Sequence, residues 1–430
     1  MNSAPAGHIP LSTARLRSLQ AVGIFCGFAA GAWLGGAEAP IKVVNPNISP
    51  ITISLIMVLG VFLARWSVPA FIRGTSHVRA DVRQAPHLIV WAVLAGCMWS
   101  VANTLTIFAI RDVGLSIAFP LWNTNSLLGI FWGFLLFNEL HYAGWKRWLG
   151  VLGGATAMFA GAGLLAIASA HEAAPGKATL GVLAALGAGV LWGTMYIPYR
   201  KAYLTGMNPL SFITFFTVGE VATMAILAVV YRGVAPLWHE LVVSRAVLFW
   251  LMLGGFVWVI GDLFQQYATK YVGISRGIPL SNTNQVWGLL WGIFVFHELR
   301  GASHALYLQV AGGSILMALG AVSIALSSAT AREHSSWQTA AQREASRYGI
   351  EHGYVRAGIE GVAHKEAGRG RTIFDWILMI GTSGLFLLLA TQARLPHIEI
   401  SLGWALALSL AMLSLLTVCG IALWRTTQFR

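Results

Sequence analysis

Long apolar stretches separated by short polar breaks recur along the whole chain. Most are close to the roughly 20 residues that a helix needs to cross a lipid bilayer. They predict membrane spans at residues 21–37, 51–66, 88–110, 113–137, 148–170, 179–200, 210–231, 246–269, 272–296, 305–328, 373–392 and 400–424. The pattern therefore predicts an all-α polytopic membrane protein with ten spans, a polar linker at 329–372 and two further spans.

Composition agrees with this prediction. The chain is 57% hydrophobic and only 10% charged, whereas soluble domains carry about 25% charged residues. Cys26, Cys97 and Cys419 lie in apolar stretches without the spacing of a metal site or disulfide framework, which favours a packing role. The sequence contains no nucleotide-binding glycine loop, catalytic carboxylate pair or metal-spaced histidine cluster. We therefore expect no enzyme activity, no cofactor and no bound metal.

The formal charge of +12 could indicate a nucleic-acid partner, but the basic residues lie in loops between spans. With the N-terminus inside, 20 Lys and Arg residues fall on the inner side and seven on the outer side, leaving only Arg276 within a span. Basic loops face the cytoplasm in membrane proteins. This bias predicts a cell (inner) membrane protein with cytoplasmic N- and C-termini and no nucleic-acid partner.

One polar motif occurs twice, as PLWNTNSLLGIFWGFLLFNEL at 120–140 and PLSNTNQVWGLLWGIFVFHEL at 279–299. A shift of 159 residues aligns 114–140 with 273–299 without a gap, and 13 of 27 positions are identical. Such an internal repeat determines the architecture. It divides the chain into a tail at 1–20, five-span halves at 21–170 and 179–328, and additional spans within 373–424. Because each half has an odd number of spans, the second half must be inverted in the membrane.

The repeat also bears on the N-terminal apolar run, which resembles a cleaved signal peptide because it follows two arginines and precedes Ala-Glu-Ala at 37–39. The run has an in-register partner in span six. We therefore interpret it as span one.

The repeated motif places two asparagines near the middle of spans four and nine: Asn123, Asn125, Asn282 and Asn284. The second asparagine of each pair shares a helix face with two glycines and a tryptophan, which fits either a close-packing seam or a binding surface. Residues two apart point in directions roughly 200° apart on a helix. Both asparagines of a pair can face one site only if the helix is broken, as Pro120 or Pro279 could cause.

Spans three and eight each carry a polar face that includes a mid-span tryptophan: Trp99 and Asn103 in one, and Trp258, Asp262, Gln265 and Gln266 in the other. Such faces are costly against lipid, so they line either a water-filled cavity or a buried hydrogen-bond network. Amide groups offer both donors and acceptors to hydroxyls, and an indole ring offers a flat apolar surface to a sugar ring. We expect these residues, together with the four asparagines, to bind the solute.

The ionisable residues inside spans are Glu220, Asp262 and Arg276. Asp262 replaces the Asn103 of the other half, and a buried carboxylate can carry a proton during transport. Glu220 is the second candidate for proton coupling. The alternative is that Asp262 forms a structural pair with Arg276. Glu139 and Glu298, at span ends, are predicted to anchor helix ends.

The stretches AGCMWSVANTLTIFAIRDVGLSIAFPL and GGFVWVIGDLFQQYATKYVGISRGIPL, together with the endings Phe-Asn-Glu-Leu and Phe-His-Glu-Leu, resemble the drug/metabolite transporter superfamily. Within it they are most similar to the bacterial glucose/ribose porter and rhamnose transporter branches. The resemblance covers spans one to ten and leaves the last two spans unexplained.

The resemblance implies a secondary transporter that moves a sugar or similar small polar solute by alternating access, with proton coupling as one mechanism. Export of amino acids, drugs or other metabolites is an alternative, and so is a scaffold or receptor that transports nothing. The expected partners are a small-molecule solute and the lipid bilayer, and a homodimer is left open.

Overall fold

The computed structural model describes residues 13–37, 39–42, 48–113, 118, 121–169, 178–297, 300–301, 303–327, 331–360, 371–394 and 400–429. Within these ranges the chain is all-helical, without a β-strand. Ten helices are long and apolar enough to cross a membrane. The chain is thus an all-α, multi-pass membrane protein, as its apolar pattern predicts.

The helices are numbered along the chain as α1 Thr13–Gly36, α2 Ala39–Lys42, α3 Pro50–Ile72, α4 Ser76–Gln84, α5 His87–Val113, α6 Asn125–Phe137, α7 Gly144–Ser169, α8 Ala178–Leu204, α9 Pro209–Arg232, α10 Val234–Val243, α11 Leu248–Val272, α12 Ile274–Ser281, α13 Asn284–Leu290, α14 His304–Leu326, α15 Ala331–Tyr348, α16 His352–Glu360, α17 Ile373–Gln392 and α18 Leu402–Thr427. A 3₁₀ turn at Ser244–Ala246 precedes α11, and a π turn at Trp291–Val295 follows α13. The ten long helices are α1, α3, α5, α7, α8, α9, α11, α14, α17 and α18.

Spans four and nine are not the continuous helices that the apolar pattern predicts. Span nine consists of α12 and α13, which meet at a turn over Asn282 and Thr283, and α6 begins directly after the equivalent turn. The backbone N–H of Thr283 bonds the carbonyl of Leu280 at 3.3 Å, and that of Thr124 bonds Leu121 at 3.3 Å. Both turns fall inside the Asn-Thr-Asn motif, and Pro279 lies within α12 rather than at the break.

Glycines bring the helices of the two halves into close contact, and their contacts exchange under the 159-residue shift. A Cβ at Gly60 in α3 would overlap the carbonyl of Met252 in α11, and the equivalent Gly219 in α9 meets Val93 in α5 in the same way. Two further equivalent pairs, at α7 and α14, behave likewise: Gly154 with Gly320 and Gly161 with Gly313. This exchange supports a two-fold relation between the halves, and their inverted orientation stays a prediction.

The linker at 329–372 is not simply solvated, because α15 and α16 dock against the ends of the membrane helices. Trp337, Ala341 and Ala345 are spaced four residues apart on α15 and are buried. Four-residue spacing places side chains on one face of a helix. The docked face joins the same apolar cluster as Tyr199 and Tyr203 of α8, so the linker is part of the folded core.

The segments assigned to the cytoplasm by the charge bias contact one another. Glu344 of α15 pairs with Lys201 at the end of α8 at 3.4 Å, and Tyr354 of α16 donates a hydrogen bond to Asp81 of α4 at 2.7 Å. Burial raises the pKa of Asp81, while hydrogen bonds from Ser211 and Tyr354 act in the opposite direction. These contacts place the linker and two predicted inner loops on one face.

The last two helices lie at the periphery. The indole N–H of Trp33 in α1 bonds the Met412 carbonyl of α18 at 3.0 Å. Asp375 of α17 accepts the backbone N–H of Thr75 at 2.7 Å, just before α4. Both helices therefore attach to the outside of the ten-span unit without entering its centre.

The glycine contacts predict a position-specific effect of adding one methyl group. Gly96→Ala should destabilise the protein by about 1–3 kcal/mol, because the new Cβ would overlap the Phe216 carbonyl oxygen across α5 and α9. Gly153→Ala is the control, since nothing lies within 4 Å of its Cβ, and alanine favours a helix over glycine. The fraction of each variant that remains monodisperse after heating measures its stability. Equal fractions for the two variants would contradict the close packing.

The predicted orientation, with the linker in the cytoplasm, implies that a thiol reagent labels two exposed positions differently. Ser346→Cys, on α15, should resist an impermeant thiol reagent applied to intact cells, because the basic linker faces the cytoplasm. His239→Cys, on α10 at the opposite end of α9, should react. Both side chains are exposed, so burial does not explain a difference. The reverse labelling pattern would overturn the orientation.

Candidate functional site

The buried guanidinium of Arg65 lies between three of the membrane helices. Arg65, in α3, is fully buried. Its Nε and Nη2 atoms each lie 3.1 Å from an oxygen of Glu220 in α9, and Nη2 lies 3.0 Å from Asp262 Oδ2 in α11. The arginine comes from the first half of the chain and both carboxylates from the second, so these ion pairs join the halves.

The pair between Asp262 and Arg276, which the sequence left open as the alternative to a proton carrier, is not found in this structure. Asp262 binds Arg65 instead, and the Arg276 Nε donates to the Ser327 carbonyl at 2.8 Å. The sequence placed Arg65 at the edge of span two and counted it with the inner loop, whereas α3 continues to Ile72 and buries it. Glu220 and Asp262 lie together as the two acidic partners of this one cation.

Aromatic rings surround the ion pairs. The Trp99 and Trp258 rings meet edge to face with centroids 4.8 Å apart. The Arg65 Cζ atom lies 4.2 Å from the Phe216 ring centroid and 5.5 Å from that of Trp258. Cation–π contacts of this kind strengthen when water is excluded. The two mid-span tryptophans, one from each half, are therefore brought together next to the charged groups.

The polar face predicted on spans three and eight forms a buried hydrogen-bond network in this structure. Asn103 Nδ2 donates to Ser54 Oγ at 2.7 Å, and Gln265 Nε2 donates to Ser281 Oγ at 2.6 Å. Gln266 Nε2 donates to Asp262 Oδ2 at 2.6 Å, while the Tyr203 hydroxyl donates to the other end of the same amide. Of the two alternatives for this face, these bonds correspond to the network.

The repeated asparagines meet where the two broken spans touch. Asn282 Nδ2 donates to Asn125 Oδ1 at 2.9 Å and to Ser126 Oγ at 2.6 Å. The Nδ2 of Asn123 and the Oδ1 of Asn284 are buried without a hydrogen-bond partner in the described part of the chain. The motif thus supplies a contact between the halves and two buried polar atoms without a partner among the described residues.

Several buried indole N–H groups also lack a partner among the described residues, and three of them lie near the centre of the membrane helices. These three belong to Trp99, Trp132 and Trp192, all in or packed against the same apolar cluster. An unsatisfied buried donor costs about 1–3 kcal/mol, so a solute or water that accepts these bonds is favoured. The sequence places Trp132 on the helix face that it shares with Asn125, but it identifies neither Trp132 nor Trp192 as an unsatisfied donor, because whether a donor is satisfied depends on packing.

Glu139 anchors a helix end, as predicted. Its carboxylate accepts the backbone N–H groups of Ile274 and Ser275 at 3.1 and 2.9 Å, at the start of α12. It also pairs with Arg200 at 2.9 Å. A carboxylate at a helix N-terminus satisfies free backbone donors and the helix dipole. Glu298, its equivalent in the second half, lies outside the described residues.

Comparison with known proteins finds matches to proteins named for sugar transport. A family model described as "Sugar transport protein" matches residues 183–351, which cover most of the second half and α15. The glucose uptake protein GlcU of Staphylococcus xylosus is 24% identical over 218 residues, covering 50% of this chain and 70% of that protein. These matches confirm the resemblance to bacterial sugar porters.

Two further relatives carry similar names. A Listeria innocua protein provisionally named for sugar uptake is 23% identical over 235 residues, 54% of this chain and 76% of its own. A Streptococcus pyogenes protein with the same provisional name is 50% identical over 52 residues, only 11% of this chain and 18% of its own length. A solved crystal structure aligns with 70% of this chain and 97% of its own at 15% identity and a TM-score of 0.41, a likeness that supports no conclusion about function.

The shared cation makes a stability prediction. Arg65→Met should lower stability by about 3–5 kcal/mol, because it leaves two buried carboxylates without their counter-charge. Arg79→Met, at an exposed position of α4, should leave the melting temperature in detergent unchanged. Adding Glu220→Gln and Asp262→Asn to Arg65→Met should recover much of the loss. If Arg65→Met melts like the Arg79 control, these ion pairs do not stabilise the fold.

Proposed function

We propose that this protein is a secondary transporter that takes up a sugar or similar small polar solute by alternating access. The observation that carries the proposal is a set of buried polar atoms without a partner among the described residues: the indole N–H groups of Trp99, Trp132 and Trp192, Asn123 Nδ2 and Asn284 Oδ1. All derive from spans three, four, six and nine, where the halves meet.

This set of groups suits a polyhydroxylated solute. Hydroxyl oxygens accept from indole and amide N–H groups, and hydroxyl protons are accepted by amide oxygens. The edge-to-face pair of Trp99 and Trp258 offers apolar surface to the carbon-bound hydrogens of a sugar ring. Asn103, Gln265 and Gln266 now bond protein partners and would exchange some of these bonds for solute hydroxyls.

Alternating access in this chain uses the contacts that cross between the halves. Broken helices at the midplane are a recurrent feature of transporter binding sites, and here the breaks lie within the Asn-Thr-Asn motifs. The Asn282–Asn125 contact joins the two breaks. As one half rocks against the other, this contact, the Arg65 ion pairs and the Glu139 contacts to Arg200 and α12 are among the polar groups that must rearrange.

Proton coupling follows from two carboxylates sharing one guanidinium. Glu220 and Asp262 are both fully buried with Arg65, so the unprotonated set carries a net negative charge in a medium where charge is costly. A proton on either carboxylate neutralises the set. We assign Asp262 as the main carrier because Arg65 retains two contacts to Glu220 but only one to Asp262. The transporter is then a proton symporter of the cell membrane.

Solute flux tests the binding site directly. Trp99→Phe should reduce counterflow of the transported monosaccharide in proteoliposomes roughly tenfold, because it keeps a ring but removes one hydrogen-bond donor. Trp404→Phe is the matched control, since Trp404 stacks on Phe294 at the periphery. The solutes tested in this assay are glucose, ribose, rhamnose, amino acids and organic cations. Flux of cations or amino acids alone would favour an exporter. Absence of flux for every solute would favour a scaffold that transports nothing.

The proton role predicts a separation of exchange from accumulation. Asp262→Asn should still fold, because Arg65 remains paired with Glu220, and it should still exchange solute at equal concentrations. Accumulation driven by a pH gradient should be lost. The measurement compares counterflow with uptake driven by an acidic exterior in the same vesicles. Accumulation at the wild-type level in both Asp262→Asn and Glu220→Gln would exclude these carboxylates as carriers.

A further inference from the structure

A small cavity lies where the docked linker meets the membrane helices, apart from the central site. Arg200 of α8, Lys270 and Tyr271 of α11, Trp337 of α15 and Ile359 of α16 are among the residues that line it. Its volume is about 20 Å³, which holds roughly one water-sized particle. The membrane core and the linker each supply part of its wall.

Lys270 is one of the residues that line this cavity, and its ammonium has no hydrogen-bond partner among the residues that the structure describes. The residue is 7% exposed, and its Nζ atom is buried without an acceptor in the described chain. The Tyr271 ring centroid lies 5.6 Å away. The carboxylate that acts on it electrostatically is Asp81, whose oxygens accept hydrogen bonds from Ser211, Tyr354 and Asn208.

The surrounding charges favour an anion in the cavity. Arg200 adds a second positive charge, with its Cζ atom 4.2 Å from the Trp337 ring centroid, although Glu139 binds its Nε atom. Arg73 repels Lys270. A buried ammonium without a partner costs several kcal/mol, and an adjacent anion both offsets its charge and accepts its hydrogen bonds.

We propose that this cavity binds a single small monovalent anion of the size of chloride, held by the Lys270 ammonium. A volume of about 20 Å³ suits one such ion better than the larger sulfate or a sugar phosphate. Because Trp337 and Ile359 belong to the linker, the bound anion lies at the seam between the linker and the membrane helices. It therefore stabilises the docked position of α15 and α16 without touching the proposed solute site.

Thermal unfolding of the full-length protein in detergent, with chloride replacing gluconate at constant ionic strength, tests the proposal. The wild type should show a saturable rise in melting temperature on the order of 1–3 °C, and sulfate should not reproduce it. Lys270→Met should be insensitive to chloride, since it lacks the charge. Lys201→Met is the control, because Lys201 pairs with Glu344 and should leave the chloride effect intact.

Hydrogen exchange shows where chloride acts. Because it uses the wild type, it tests the proposal even if Lys270→Met does not fold. In the wild type, chloride should slow exchange in residues 331–360 more than in α17, and sulfate should not. If the cavity is empty or Lys270 is uncharged, the melting temperature of the wild type should not depend on chloride. Lys270→Met should then be more stable than the wild type in every salt. Either of those results, or an equal response to sulfate, would overturn the anion site. Slower hydrogen exchange in residues 331–360 on addition of anionic lipid vesicles, but not of chloride, would also overturn it.

Discussion

A buried charge must be paired, and in this protein one arginine satisfies that requirement for two carboxylates. Arg65 contributes the positive charge from α3, and Glu220 and Asp262 contribute the negative charges from α9 and α11. Since the cation belongs to the first half and the anions to the second, the halves cannot separate at this point without exposing charge to the interior. The arrangement of the central helices depends on this set.

Close packing of the neighbouring helices keeps the three charged side chains buried. Glycines at equivalent positions bring α3 to α11 and α5 to α9 with backbone in direct contact, which places Trp99 and Trp258 together beside the arginine. The Asn-Thr-Asn breaks add a second polar contact between the halves. The central helices thus hold both tightly paired groups and donors without a partner among the described residues, which is the combination that the proposed site for a polar solute requires.

Much of the fold could be predicted because its signals are local or periodic. Apolar length predicted the spans, the 159-residue shift predicted the repeat, and the spacing of Asn123 and Asn125 suggested a broken helix. The partner of Asp262 could not be predicted in this way, because Arg65 is distant in sequence and lies near the end of its apolar stretch. The docking of α15 did leave a signal that was not used, the four-residue spacing of Trp337, Ala341 and Ala345. Unpartnered indole groups have no sequence signal, since every tryptophan carries the same donor.

In the proposed mechanism, solute binding between the halves is linked to protonation of the Arg65 set. Direct evidence would come from adding the transported sugar to purified protein in a weakly buffered solution while recording pH and tryptophan fluorescence together. Linkage between binding and protonation predicts uptake of roughly one proton per solute bound, and loss of that uptake in Asp262→Asn while fluorescence still reports binding. Saturable binding of the sugar with no proton uptake by the wild type would contradict the account.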